Sequence, residues 1–377
     1  LQLVGGLAAG VAFVYTAAAA ILVRRGPPAP RQKPRPQPPV TILKPLCGQE
    51  QGLEDCLRSF CTQDYPQYQI VFGVADANDP ALTVVERLQA TFDSPMIDVV
   101  VDPTQHGSNR KVSNLLNMLP RAAHDTLIVA DSDIRVDSDY LERIIATLNT
   151  HPRAVVTCAY RAFPGPSIWS RLGALFVNGW FLPSVLISQR LGQTSFGFGS
   201  TLAFNRSMLD SAGGFQAVAD ELADDHALTE RVAQETGESA VLSDYVVETV
   251  ADEPTLSAML AHETRWMRTI RLLASRRYCL TILSFGLPVT CIAIGLGYTS
   301  PVVWALVTLT AVSRIDLHRT QAHRLGHSPW RDLWLLPVRG VLNGFVWLCG
   351  FGRRAVDWRG RQYAVDSTGT LQHNPRD

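Results

Sequence analysis

Apolar positions along this chain follow two rhythms. Near both ends they form long, nearly unbroken runs, and between them short apolar runs alternate with amphipathic stretches. Residues 1–23, "LQLVGGLAAGVAFVYTAAAAILV", carry no charge. As a helix they are long enough to cross a hydrocarbon core about 30 Å thick. A basic, proline-rich stretch follows, 24–39, "RRGPPAPRQKPRPQPP". It reads as a stiff linker whose Arg and Lys residues mark the cytoplasmic side. A cleaved signal peptide carries its basic residues ahead of the apolar run. Here they follow it, so a retained anchor is expected.

From 40 to 252 the pattern is that of an α/β domain. "VTILKPL" (40–46), "QIVFGVAD" (69–76), "IDVVVD" (97–102), "TLIVADSD" (126–133) and "AVVTCAY" (154–160) predict strands. Helical stretches such as "GLEDCLRSFC" (52–61) and "LTVVERLQATF" (82–92) lie between several of them. Strand–helix alternation predicts a sheet with parallel strands, and ligands of such sheets bind beyond the carboxyl ends of the strands. The uncharged stretch 172–188, interrupted by Asn178, Gly179 and Pro183, predicts an interface-seated element or a groove wall rather than a span.

Beyond the domain, 253–277 is amphipathic and rich in arginine, as in a helix lying in a membrane interface. From 278 to 352 the chain turns apolar again. The runs 278–298 and 300–313 predict a hairpin of two spans, with basic residues at both outer ends. The run 333–352, broken by Pro337 and Arg339, predicts either a span or a re-entrant segment, and 353–377 an exposed or cytoplasmic tail.

The strand-end carboxylates are the first sign of chemistry. Asp76, Asp102 and Asp131 each close a predicted strand. Asp102, followed by Pro103, is expected to be a turn former. Asp131 and Asp133 are one residue apart, and alternation along a strand would put both on one face. Two like charges so placed ask for a cation, and oxygen donors suit Mg²⁺ or Mn²⁺. Asp224 and Asp225 sit in a helix-like stretch near Glu221.

Charge and cysteine content narrow the alternatives. Lys plus Arg and Asp plus Glu both total 34, which gives no net field for nucleic acid. The seven cysteines show no CxxC or metal spacing and predict reduced, mostly buried thiols.

Taken in order, "TILKPLCG", "DYPQYQIVFGVADANDPA", "NRKVSNL", "ADSDIRV", "GGF", "ADD" and "HETRW" resemble the ceramide glucosyltransferase family of membrane-bound inverting glycosyltransferases. "IWSRLGALFVNGWFLPSVLIS", "FGFGSTLAFNR" and "YVVET" are similar to its bacterial hopanoid-biosynthesis N-acetylglucosaminyltransferases. The resemblance implies a GT-A nucleotide-sugar domain, a mixed and mostly parallel α/β sheet with N- and C-terminal transmembrane helices. It implies a UDP-sugar donor, a lipid alcohol as acceptor, and a bacterial inner membrane enzyme with its catalytic domain in the cytoplasm. Carried over by residue, Pro45, Asp76, Lys111, Asn114 and Asp131 belong to the donor site. Asp131 and Asp133 hold the metal, Asp225 is the base, and Arg265 and Trp266 are the last motif. His262 stands where the family has Gln or Arg. The segment "VNGWF" lacks the His of the animal ceramide enzymes, which weakens ceramide as acceptor. A polysaccharide synthase shares the catalytic motifs but needs more spans than this chain offers.

Overall fold

The computed structural model describes residues 1–26, 36–192, 196–297, 299–352, 355–358, 361–365 and 369–373. It divides into two compact units. One, Pro27–Tyr160, Thr194–Val250 and Tyr363–Asp377, holds the sheet; the other, Leu1–Gly26, Arg161–Gln193 and Ala251–Gln362, is helical.

The sheet unit is a mixed α/β fold. Its eight strands are β1 (Val40–Pro45), β2 (Tyr68–Val74), β3 (Met96–Val101), β4 (Thr126–Val129), β5 (Ile134–Arg135), β6 (Val156–Pro164), β7 (Leu202–Asn205) and β8 (Val241–Ala251), in the spatial order 3-2-1-4-7-6-8-5. Strands β3, β2, β1 and β4 run parallel, with β1 paired to β2 on one side and to β4 on the other. Every residue of β1, β2 and β4 is buried, which explains their continuous apolar sequence. Successive residues feed opposite layers. Ile42, Ile70 and Ile128 pack with Leu57, Val85 and Ile144 of one helical layer, and Leu43, Val71 and Val129 pack with Leu115, Leu209 and Val232 of the other. Beyond β4 the sheet turns antiparallel through β7, β6 and the β8–β5 pair. Of this half only β6 was read from the sequence, as 154–160; β7 is short and β8 only partly buried, and neither was.

In the helical unit, the helix Gln2–Arg25 is long and apolar enough to cross a membrane. Its small residues Gly5, Ala9, Ala12, Ala19 and Ala20 face inward, and Leu3, Leu7, Val14 and Ile21 face outward. Gly5 lies so close to the helix Gly286–Gly297 that a Cβ on it would come within 2.9 Å of the Gly297 nitrogen. Close backbone approach of this kind is how small residues join apolar helices.

Several membrane expectations change. Residues 168–190 form a helical stretch of 23 residues that also passes by length and composition, although the segment read as a poor span lies within it. It is over half buried in the protein and contains a π turn at Val177–Phe181. The run 278–298 is not one straight helix. It bends by 85° between Ser284 and Gly286. Phe285, at the corner, stacks on Trp180 with ring centroids 4.8 Å apart, and Trp180 Nε1 donates to Ser284 Oγ at 2.6 Å. Residues 300–313 are the first part of a longer helix, Pro301–Arg324.

The last apolar run forms Leu335–Cys349, 15 residues. At 1.5 Å per residue that is about 22 Å, short of a full span. Its Pro337 lies in the first turn, where a missing N–H costs nothing. Arg339 is fully buried and makes a bidentate pair with Glu263, at 2.7 and 2.8 Å. Glu263→Leu should strand that guanidinium and cost about 3–5 kcal/mol, whereas adding Arg339→Met should recover most of the loss. Thermal unfolding of the three proteins in one detergent checks this.

Most of the proline-rich linker, residues 27–35, lies outside the described residues. Part of the segment read as a tail is folded. Strands 361–365 and 371–373 pair antiparallel, and Leu371 N donates to Asp220 O at 2.7 Å.

Candidate active site

Lys111 is the hub of a charged cluster at the carboxyl ends of β1 and β4. Its Nζ lies 2.6 Å from Asp131 Oδ1 and 3.6 Å from Asp224 Oδ2. Burial alone would depress the Lys111 pKa, but Asp131, Asp224 and Asp225 together raise it, so the ammonium stays charged. Lys111 is the second residue of the helix Arg110–Met118, whose N-cap Asn109 accepts from Val112 N. Asn109 Nδ2 donates to Asp224 Oδ1 at 3.2 Å, joining that helix start to the start of Asp224–Thr236. Helix N-termini favour anionic groups.

The strand β4 ends at Val129, so Asp131-Ser132-Asp133 is a turn and the strand-alternation argument for the two carboxylates does not hold. The turn is fixed through its main chain. Lys44 Nζ donates to Asp131 O at 2.7 Å, and Asp131 N donates to Gly199 O at 3.1 Å. Ser132 Oγ donates to Glu50 Oε2 at 2.9 Å, and Thr249 Oγ1 to Asp133 Oδ2 at 2.6 Å. Burial, then the neighbouring Asp131 charge, push the Asp133 pKa up to about 6. That excess of negative charge is what a cation would offset. Among the described residues no three metal-ligating side chains gather. The two carboxylates still fit Mg²⁺ or Mn²⁺ as part of a set, the remaining oxygens coming from a diphosphate and water.

Asp224 and Asp225 both reach this cluster, although they are consecutive. They are the first two residues of the helix, where side chains are not yet confined to one face. Asp224 is buried. Asp225 Oδ2 accepts from Gly199 N and its Oδ1 from His226 N, both at 2.8 Å. Burial and then Asp224 push its pKa up to about 6.

Two residues here escaped the sequence reading. Lys44 is fully buried, with its ammonium 3.7 Å from the Phe60 ring centre, and burial lowers its pKa to about 8. The available signal was a lysine closing an otherwise apolar strand. Gly199 joins Asp131 to Asp225 through its own backbone. A Cβ there would stand 2.6 Å from Asp131 Oδ2 and 2.9 Å from Lys111 Nζ. Gly199→Ala should therefore displace the Lys111–Asp131 pair and cut turnover by about tenfold or more, with little loss of folded protein. Steady-state rates beside a melting curve check it.

The remaining candidates make other contacts. Asp76 is exposed, and its Oδ1 accepts from Asn78 N at 2.9 Å in an Asx turn. Asp102 Oδ1 accepts from Thr104 N at 2.8 Å, the turn-forming role expected of it. Asn114 is buried and braces the end of β2, its Nδ2 donating to Gly73 O at 2.7 Å. Pro45 is the buried last residue of β1. Arg265 and Trp266 belong to the helical unit, on the helix Leu256–Ala274. There His262 Nδ1 lies 2.9 Å from Glu253 Oε1, and the His262 ring stands edge-on to Trp266 with centroids 4.7 Å apart. Trp266 also packs near Phe176 and Phe181.

A sequence model of glycosyl transferase family 21 matches residues 6–371. The chain belongs to glycosyl transferase family 21. This family 21 chain is 22% identical to ceramide glucosyltransferase 3 of Caenorhabditis elegans over 342 residues, 85% of this chain and 72% of that protein. It is 34% identical to the ceramide glucosyltransferase of Komagataella phaffii over 129 residues, 32% of this chain. The match spans only about a quarter of the fungal relatives' length, 25% there and 22% in Candida albicans. A mannosyltransferase from Pyrobaculum calidifontis, solved in complex with GDP-Man and Mn²⁺, aligns with a TM-score of 0.49 at 18% identity, covering 91% of this chain and 97% of that one.

Proposed function

We propose that this family 21 chain moves one sugar from a UDP-sugar to a hydroxyl of a membrane lipid, with inversion at the anomeric carbon. The observation that carries the reading is the Lys111–Asp131–Asp224 cluster beside Asp133 and Asp225, at strand ends where α/β sheets bind ligands. Lys111 and the two helix starts suit the donor's diphosphate. A divalent cation on Asp131 and Asp133 would neutralise charge on the leaving diphosphate. Asp225 takes the proton of the acceptor hydroxyl while its oxygen bonds to the anomeric carbon. The bond from that carbon to the diphosphate breaks, and the electron pair leaves with UDP. To Arg265 we assign a role against phosphate charge and to Trp266 a role as a wall for the sugar, as the sequence motif implies.

A bacterial inner membrane setting with the sheet unit in the cytoplasm is part of the proposal. It is supported by the apolar helix Gln2–Arg25 and the basic residues that follow it. For the acceptor we favour a hopanoid polyol such as bacteriohopanetetrol, with UDP-N-acetylglucosamine as donor, on the strength of the sequence motifs quoted above. Ceramide with UDP-glucose is the second reading, favoured by the names of the relatives. Crossing the two donors with the two acceptors in one detergent system decides between them. Transfer of N-acetylglucosamine to the polyol is expected, and faster glucosylation of ceramide would reverse the choice.

A further inference from the structure

The helical unit contains a cleft of its own. It lies against the π turn Val177–Phe181, the helix Pro301–Arg324 and the loop that follows, and it opens to solvent. A π turn misaligns its carbonyls with the helical ladder. Two of them are met here by side chains from the other helix. Gln321 Nε2 donates to Asn178 O at 3.1 Å, and Arg314 Nη1 to Gly179 O at 2.6 Å. Asn178 itself is held by both its polar atoms, Oδ1 accepting from Ala162 N and Nδ2 donating to Ala162 O.

Capping the turn does not use up these two side chains. Gln321 is 3% exposed, and its Oε1 is buried without a hydrogen-bond partner. Since Nε2 is committed to Asn178 O, an amide flip would not satisfy it. A buried acceptor of this kind calls for an O–H or N–H donor. No carboxylate pairs with Arg314 among the described residues. Nearby, Arg171 and Arg331 share the single carboxylate of Asp332, with Arg171 Nε at 2.5 Å and Arg331 Nε at 3.7 Å. The lining therefore holds three guanidinium groups against one carboxylate. The rest of the wall is largely apolar, through residues such as Leu175, Leu317 and Leu336. Net positive charge, an acceptor awaiting a hydroxyl and apolar walls describe the complement of an anionic amphiphile.

We propose that this cleft binds an anionic phospholipid with a hydroxylated headgroup, its phosphodiester on Arg314 and Arg331 and a headgroup hydroxyl on Gln321 Oε1. The proposal does not depend on the reaction proposed above. Guanidinium–phosphate contacts are charge-assisted and bidentate, which suits them to holding a phosphodiester.

The test uses the full chain in detergent and native mass spectrometry, with phosphatidylglycerol, phosphatidylcholine, glycerol 1-phosphate and inorganic phosphate as probes. Wild-type protein should retain one phosphatidylglycerol at about tenfold lower lipid concentration than phosphatidylcholine, as one or two charge-assisted bonds allow. Arg314→Gln keeps a donor for Gly179 O but removes the charge, and Arg331→Gln changes an exposed side chain that leaves the fold intact. Each should erase most of the preference, and Arg331→Gln carries the comparison alone if the first variant unfolds. Equal retention of the two lipids, or an unchanged preference in Arg331→Gln, overturns the proposal. Displacement of the lipid by inorganic phosphate or glycerol 1-phosphate at matched concentration overturns the lipid as ligand.

Discussion

Asp131→Ala should abolish sugar transfer, by about 10³-fold or more, and leave the protein folded. The size follows from what the side chain does in the proposed reaction. It holds Lys111 at 2.6 Å and is half of the carboxylate pair offered to a cation. Loss of charge stabilisation at a leaving diphosphate amounts to several kcal/mol, and each 1.36 kcal/mol is about tenfold in rate. The fold should survive because the turn is held through the Asp131 backbone, by Lys44 on its carbonyl and Gly199 on its amide. Lys111 also keeps Asp224 at 3.6 Å. Single-turnover rates, a melting curve and a chelator titration of the wild type make the test. Full activity of Asp131→Ala, or of wild type in excess chelator, would remove the metal from the proposal.

Asp225→Asn should lower turnover by about 10²–10⁴-fold, the usual worth of a general base, and spare donor binding. The wild-type pH profile should show the same group. Its pKa is raised to about 6, and a base works only when ionised, so activity should fall as pH drops through about 6. Asp133 rises to about 6 as well when no cation is present, so the profile is best taken at saturating metal. Asp224→Asn is the informative partner. Asp224 faces Lys111 and Asn109, so this variant should weaken UDP-sugar binding more than Asp225→Asn does. Calorimetry with UDP-sugar beside rates for both variants separates the roles. If Asp224→Asn is inactive with intact donor binding while Asp225→Asn turns over, the base is Asp224.

The parallel half of the sheet was legible because β1, β2 and β4 are buried on both faces and so read as solid apolar runs. Of the antiparallel half only β6 was, since β8 mixes buried and half-buried positions and β5 has two residues. The cluster residues Asp131, Asp133 and Lys111 were singled out, but the reason given for the first two was wrong: they share a turn, not a strand face. Gly199 and Lys44 went unseen for a physical reason. Gly199 acts through its backbone, and Lys44 acts by reaching across to a carbonyl 87 residues away, a contact that local pattern does not encode. The 85° corner at Phe285 had a local signal that went unused, Gly286 and Pro288 just after it, while the stack of Phe285 on Trp180 is a long-range contact.

The most direct measurement is mass spectrometry of lipids after incubating purified chain with a panel of UDP-sugars and a total bacterial lipid extract. Wild-type protein should add a single sugar to a lipid alcohol with one preferred donor and release UDP, and Asp131→Ala should add none. No mass gain on any lipid with any donor, or growth of a polymer in place of a monoglycosylated lipid, would contradict glycosyl transfer to a lipid as the function of this chain.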